Sequence, residues 1–380
     1  MKKFKFFGMM AVAAMAVSCS SDDVVQQVQE DNAIQFSTYL GNAAQSRGSV
    51  VTTGDMATQG FGVYAYYTAN VDFNATTHVV ANFMNNQKVT GTGSEGSYTW
   101  TYSPIKYWPN NEGDKVSFFA YAPYNENGCL NASKPGQIDF EVVNPVADHI
   151  DLLWNRSETA NLTKKSITGT VDFNFAHALA RIGLTVQTAV DQIAVGGELA
   201  ENTTITVKKV MLTGAAHTYV AGVATVSTTG AFYQTGVLDM NNPSSAVPAV
   251  AKWSEQAGTQ SFTWNPADNF ESNAEVKLTG ASVQTKLNND NSYAMVIPQD
   301  FSQTPFYVYV EYEVATVDEN NPLNNSTITN YISTPVYLNL ESGKAYSLNL
   351  SLGMTSVKIT ADIENWVDVP VEVDVPENFN

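Results

Sequence analysis

The sequence is poor in cysteine: only Cys19 and Cys129 occur in 380 residues. That excludes a disulfide-stapled scaffold and leaves the fold to be held by packing. Cys129 lies in the turn-like run Asn127-Gly128-Cys129-Leu130, where a small buried side chain is expected. Positive charge is scarce as well, with 19 Lys and Arg against 37 Asp and Glu and a formal net charge of −18. Clustered cations are what bind phosphate backbones, so no nucleic-acid partner is expected, nor an anionic membrane surface as the main partner. Charged residues of both signs make up 15% of the chain, well under the roughly 25% of ordinary globular domains.

Catalytic and metal-binding signatures are missing too. The four histidines, His78, His149, His177 and His217, have no second His or Cys at zinc-ligand spacing. His149 has Asp148 and Asp151 nearby but no third ligand, and His177 sits in an apolar strand-like run that predicts a structural role. The sequence contains no H-E-x-x-H, G-x-S-x-G or phosphate-loop pattern. Gly91-Thr92-Gly93-Ser94-Glu95-Gly96 has dinucleotide-loop spacing but precedes the strand-like Ser97–Thr101. Dinucleotide binding needs a helix N-terminus there, so the loop reads as a hairpin tip. The expectation is a non-enzyme with no cofactor and no metal.

What the sequence does contain begins with an address. Lys2, Lys3 and Lys5 precede an apolar stretch from Phe6 to Val17. This is the pattern of a secretory signal peptide over residues 1–18, too short for a spanning helix. It ends in Ala16-Val17-Ser18-Cys19, which resembles a bacterial lipobox and implies a lipid on Cys19. The following Ser20-Ser21-Asp22-Asp23 resembles the surface-export signal of Bacteroidetes lipoproteins. No later apolar stretch approaches the roughly 18–20 residues of a membrane span.

Beyond a polar tether the chain reads as short strands separated by Gly, Asn, Asp and Pro. Examples are Phe61–Tyr67, Tyr98–Tyr102, Val116–Ala122, Ile150–Trp154, Val171–Phe175, Ile182–Thr188, Thr203–Leu212, Phe306–Tyr312 and Tyr346–Leu352. Convincing amphipathic helices are nearly absent; the best candidate, Ala178–Ile182, still reads mainly as strand. The expected class is all-β, with two sandwiches in tandem. The polar run Asn155–Thr170 suggests a boundary near 168, giving units 48–168 and 169–380. The loop-rich stretch Gly236–Gly258 suggests an insertion or a long surface loop.

Arg47 is one of only three arginines and alone lies in a stretch of small residues, Gly41–Ser49. Such a stretch fits a protease cleft, so cleavage between Arg47 and Gly48 is expected. The cut would release residues 19–47: Cys19, its lipid and the strand-like Ile34–Leu40, whose Ile34, Phe36, Thr38 and Leu40 share one face. If this face is packed in a sandwich, its three large residues contribute roughly 5–9 kcal/mol together, against a net stability of about 5–15 kcal/mol for a domain. Losing the strand would leave a groove with unpaired edges, which a strand from a second molecule can fill. A donor stands in the same chain. Val367, Val369, Val371, Val373 and Val375 alternate with Asp368, Pro370, Glu372 and Asp374. This tail either completes its own domain or is lent to a neighbour.

Several runs taken in order resemble the fimbrillin family of Bacteroidetes, the type V pilins. They are Ser103-Pro104-Ile105-Lys106-Tyr107-Trp108-Pro109, Val116–Pro123, Asp151-Leu152-Leu153-Trp154 and Val171–Ile182. Met295-Val296-Ile297-Pro298-Gln299, Gly343-Lys344-Ala345-Tyr346 and Ile363-Glu364-Asn365-Trp366 follow. The resemblance implies two transthyretin-like Greek-key β-sandwich domains and a lipoprotein precursor lipidated on Cys19. It further implies outer-membrane anchoring, cleavage at Arg47–Gly48 by a trypsin-like or arginine-specific protease, and polymerisation with other pilin subunits by strand exchange. A surface-anchored glycan-binding lipoprotein, monomeric and keeping its first strand, is the alternative.

Overall fold

The computed structural model describes residues 32–40, 51–365 and 370–373, except for 95–96, 129–133, 168, 190–201, 221–222, 245–248, 269, 272–273, 280–282 and 291. Cys19, Arg47, Gly48, Cys129, Val367, Val369 and Val375 lie outside the described residues.

The protein is all-β, as its composition predicts. The first strands in chain order are β1 (Gln35–Leu40), β2 (Phe61–Tyr67), β3 (Met84–Thr92), β4 (Thr99–Thr101) and β5 (Val116–Ala122). They are followed by β6 (Gln137–Glu141), β7 (Leu153–Asn155) and β8 (Thr170–His177). Seven of these form one sheet in the order β1-β8-β7-β5-β2-β3-β4. The strands β1 and β8 run parallel, with Phe36 opposite Val171 and Leu40 opposite Phe175.

This sheet is apolar on both sides. Phe61, Val63, Ala65, Phe118 and Ala120 face a first core with Phe36, Trp108 and Phe173. The alternate residues Tyr64, Tyr66, Phe119 and Tyr121 face a second, larger core. Two covered faces explain why Phe61–Tyr67 and Val116–Ala122 read as unbroken apolar runs and not as alternating ones.

The second core is built mainly by the remaining strands. These are β9 (Ala180–Thr188), β10 (Thr203–Thr213), β11 (Thr218–Val220), β12 (Val223–Thr225), β13 (Phe232–Asp239), β14 (Lys252–Gln260), β15 (Phe262–Trp264) and β16 (Val276–Leu278). Then come β17 (Thr285–Lys286), β18 (Ala294–Val296), β19 (Gln299–Asp300), β20 (Phe306–Thr316), β21 (Ser326–Val336), β22 (Asn339–Leu340), β23 (Lys344–Leu352), β24 (Val357–Asn365) and β25 (Pro370–Val373). One sheet has the order β15-β10-β20-β21, with β16 on β10; another has β17-β9-β23-β24-β25, with β18 on β9. A three-stranded sheet, β14-β13-β6, joins elements from both halves of the chain.

The structure departs from three sequence expectations. The boundary expected at 168 falls inside the first sheet, because β8 lies between β1 and β7. The polar run before it is bound to β5 and is no linker: Phe118 N donates to Thr159 O at 2.9 Å, and Leu162 bridges Val116. The change of core comes at Ala178 and Leu179, which pack with the second cluster. The Gly236–Gly258 stretch forms most of the hairpin β13–β14; its many polar side chains reflect the exposure of β14. Thirdly, residues 53–59 form a helix, α1 (Thr53–Gln59). Its start is a capping box: Asp55 N donates to Thr52 Oγ1 at 3.2 Å, and Thr52 N donates to Asp55 Oδ2 at 2.9 Å. The helix lies so close on β3 that a Cβ at Gly91 would stand 2.8 Å from Ala57 Cβ. Close packing therefore accounts for this glycine of the G-x-G-x-x-G run, and the run does join two paired strands, β3 and β4.

Candidate functional site

The strand singled out by its alternation forms β1 and closes the first sheet. Ile34, Phe36 and Leu40 are 1%, 5% and 9% exposed, so all three large residues of the predicted face are buried. Thr38 shares that face, and its Oγ1 is buried. Tyr39 on the opposite face is 54% exposed.

The seat of this strand is built from four directions. On one side β8 pairs with it along its length, and Ser37 Oγ donates to Asp172. On the other side the segment preceding β1 pairs with residues 106–108: Ile34 N donates to Lys106 O at 2.9 Å, Trp108 N donates to Asn32 O at 2.9 Å, and Ala33 bridges Tyr107. The phenol of Tyr102 donates to Ile34 O at 2.7 Å. Beneath, Phe36 enters an aromatic socket, with ring centroids 5.2 Å from Tyr102, 5.3 Å from Phe173, 6.1 Å from Phe118 and 6.5 Å from Phe61. Edge-to-face and offset pairs of this kind contribute about 0.5–1.5 kcal/mol each beyond area burial. Because β1 is also in contact with β4, the sheet curls until its two ends meet, and β1 is the closing element.

Every residue of this seat lies C-terminal to Gly48. The N–H of Val51 donates to Asp151 Oδ2 at 2.9 Å. The other oxygen of Asp151 is 2.9 Å from His177 Nδ1. Asp151 and His177 are buried. The partner of Asp151 is thus His177 and not His149, the nearer residue in sequence. His149 Nδ1 instead accepts the Met295 N–H at 2.9 Å, edge-on to the Phe262 ring. Burial pushes its imidazole down to about 4. His177 and His149 are each held in buried contacts of the fold. Among the described residues no group of three metal-ligating side chains comes together.

The strand β24 (Val357–Asn365) pairs along β23, and β25 turns back on it with Val373 opposite Ala361 and Pro370 opposite Glu364. Of the five alternating valines, Val371 and Val373 lie in β25, an edge strand of its own sheet. An edge position suits Pro370, which has no N–H to offer a further strand.

The fimbrillin-like family model matches residues 49–366. The chain belongs to the fimbrillin-like family. This fimbrillin-like chain is 24% identical over 387 residues to the fimbrium subunit Fim1C of Phocaeicola vulgatus, covering 95% of this chain and 96% of that protein. Its fold is also that of a fimbrial protein from Bacteroides vulgatus ATCC 8482, with a TM-score of 0.62 at 21% identity over 88% of this chain and 99% of that one. The family region begins at residue 49, two residues after Arg47 and beyond the whole of β1. The segment Ile34–Leu40 thus stands outside the family region yet packs in the first core of this chain.

Sequence reasoning missed Tyr102, Lys106 and Trp108 as partners of β1. The signal was present in the aromatic spacing of Tyr102, Tyr107 and Trp108, but nothing local says which strand such residues will meet.

Proposed function

We propose that this chain is a structural subunit of a cell-surface pilus that serves adhesion. It is exported as a lipoprotein lipidated on Cys19 and held at the outer membrane. An arginine-specific or trypsin-like protease cuts between Arg47 and Gly48. The strand β1 leaves, and the emptied seat takes a strand from another pilin subunit, with Val367, Val369, Val371, Val373 and Val375 as the donor face.

One observation carries this reading. The strand Ile34–Leu40 supplies three buried side chains to the first core, while the residues that grip it all follow the Arg47–Gly48 bond. One cut therefore separates occupant from seat without removing any part of the seat. The groove left behind would hold the unpaired edge of β8 and an apolar socket, a template for strand addition. The start of the family region at residue 49 and the likeness to a protein named as a fimbrium subunit agree with this order of events.

N-terminal sequencing of the chain recovered from fimbriae tests the reading. Molecules starting at Gly48 are expected, with Arg47→Ala cells retaining lipidated monomer and forming no polymer. Assembled fimbriae whose subunits all begin at a blocked Cys19 would refute it.

A further inference from the structure

We infer that Thr38 is a built-in weak point of β1, a residue that keeps the first strand from holding its seat as tightly as the seat allows. The inference rests on the reading that β1 is released after cleavage.

The inward positions of β1 and the residue before it are Ile34, Phe36, Thr38 and Leu40. Three are large and apolar, and the facing strand β8 offers Val171, Phe173 and Phe175. Thr38 lies opposite Phe173 in the register. Its Oγ1 is buried and has no hydrogen-bond partner. A buried hydroxyl that exchanges water for no partner opposes folding by about 1–3 kcal/mol. Nothing in the shape of the site calls for this. Valine has the same branched outline, favours strands equally, and carries a methyl where threonine carries its hydroxyl.

The two strands in question differ at this feature. The tail places valine at every second residue from 367 to 375. Any register that keeps its apolar face inward therefore puts a valine at the level of Thr38 and removes the orphaned hydroxyl. The Phe36 socket works in the opposite direction, since valine fills it less well. Phe36 holds β1 in the uncut chain, and Thr38 lowers that hold enough for β1 to be displaced once the linker is severed.

The full chain and its Thr38→Val and Thr38→Ser variants test this in two steps. The uncut chains are first unfolded by heat. Thr38→Val should raise the midpoint by roughly 2 °C or more, whereas Thr38→Ser, which keeps the hydroxyl and loses a methyl, should not. A Thr38→Val midpoint equal to or below that of the unaltered chain overturns the inference, whatever β1 does after cleavage. The chains are then cut with an arginine-specific protease and mixed with a synthetic peptide of residues 357–380. Departure of the severed segment is followed by size-exclusion chromatography. Thr38→Val should retain its segment about 5-fold longer or more, the equivalent of 1 kcal/mol, and Thr38→Ser should lose it sooner. Equal departure of Thr38→Val and the unaltered chain overturns the role of Thr38 and leaves exchange standing. Retention by all three chains overturns the exchange reading instead, and the thermal midpoints then decide on Thr38.

Discussion

The hydroxyl of Tyr102 donates to the carbonyl oxygen of Ile34 at 2.7 Å, and the same ring stands 5.2 Å from that of Phe36. One side chain thus holds the first strand by both backbone and side chain. Tyr102→Phe keeps the ring and removes the hydrogen bond. The uncut chain should lose about 1 kcal/mol in denaturant unfolding. Once residues 19–47 have gone, the same substitution should cost less, because its acceptor has left.

Phe36→Ala empties the aromatic socket. In the uncut chain it should cost about 3–5 kcal/mol, read from the urea midpoint at constant slope. On the proposed cleavage the substitution leaves with residues 19–47, so fimbriae assembled from Phe36→Ala chains should match unaltered fimbriae in stability.

Asp151 accepts from Val51 N and pairs with His177 Nδ1, tying the segment before α1 to the core. Asp151→Ala removes the acceptor from two buried donors, at about 1–3 kcal/mol each. Limited proteolysis should then cut near residues 51–55 in the folded protein, where the unaltered chain resists. An unchanged cleavage map would show that the contact does not hold this segment.

His149 gives the protein an acid limit. Burial lowers its imidazole from the usual 6.5 to about 4. A group lowered in the folded state contributes its full stability above 6.5 and loses it as pH falls towards 4. Between pH 7 and 4 this should remove up to about 3 kcal/mol. His149→Asn keeps an acceptor for Met295 N and removes the ionisation, so its unfolding free energy should fall less over the same range. Parallel pH profiles for the two chains would contradict this.

The parts of the fold that were legible share one property: their burial is written in a local pattern. Ile34, Phe36 and Leu40 alternate with polar residues, and β1 follows from that. The doubly covered β2 and β5 are equally plain as apolar runs. The strand β21, Ser326–Val336, is an edge strand whose first three residues are exposed, and its Ile328, Ile332 and Val336 stand four apart on one face, with Asn330 and Thr334 between them, so the alternation is interrupted. The helix α1 could have been found from Thr52-x-x-Asp55. The chain pairings that make the site, β1 with β8 and Ile34 with Lys106, join residues 135 and 72 positions apart. Sequence alternation fixes which side chains point inward and leaves the partner strand unspecified.

A structure of the assembled fimbria by electron cryomicroscopy is the most direct measurement. The account predicts that the socket of Tyr102, Phe118 and Phe173 is filled by a strand from a neighbouring subunit and that residues 32–40 of the same chain are gone. Density for the chain's own Ile34, Phe36 and Leu40 in that socket, inside the polymer, would contradict it.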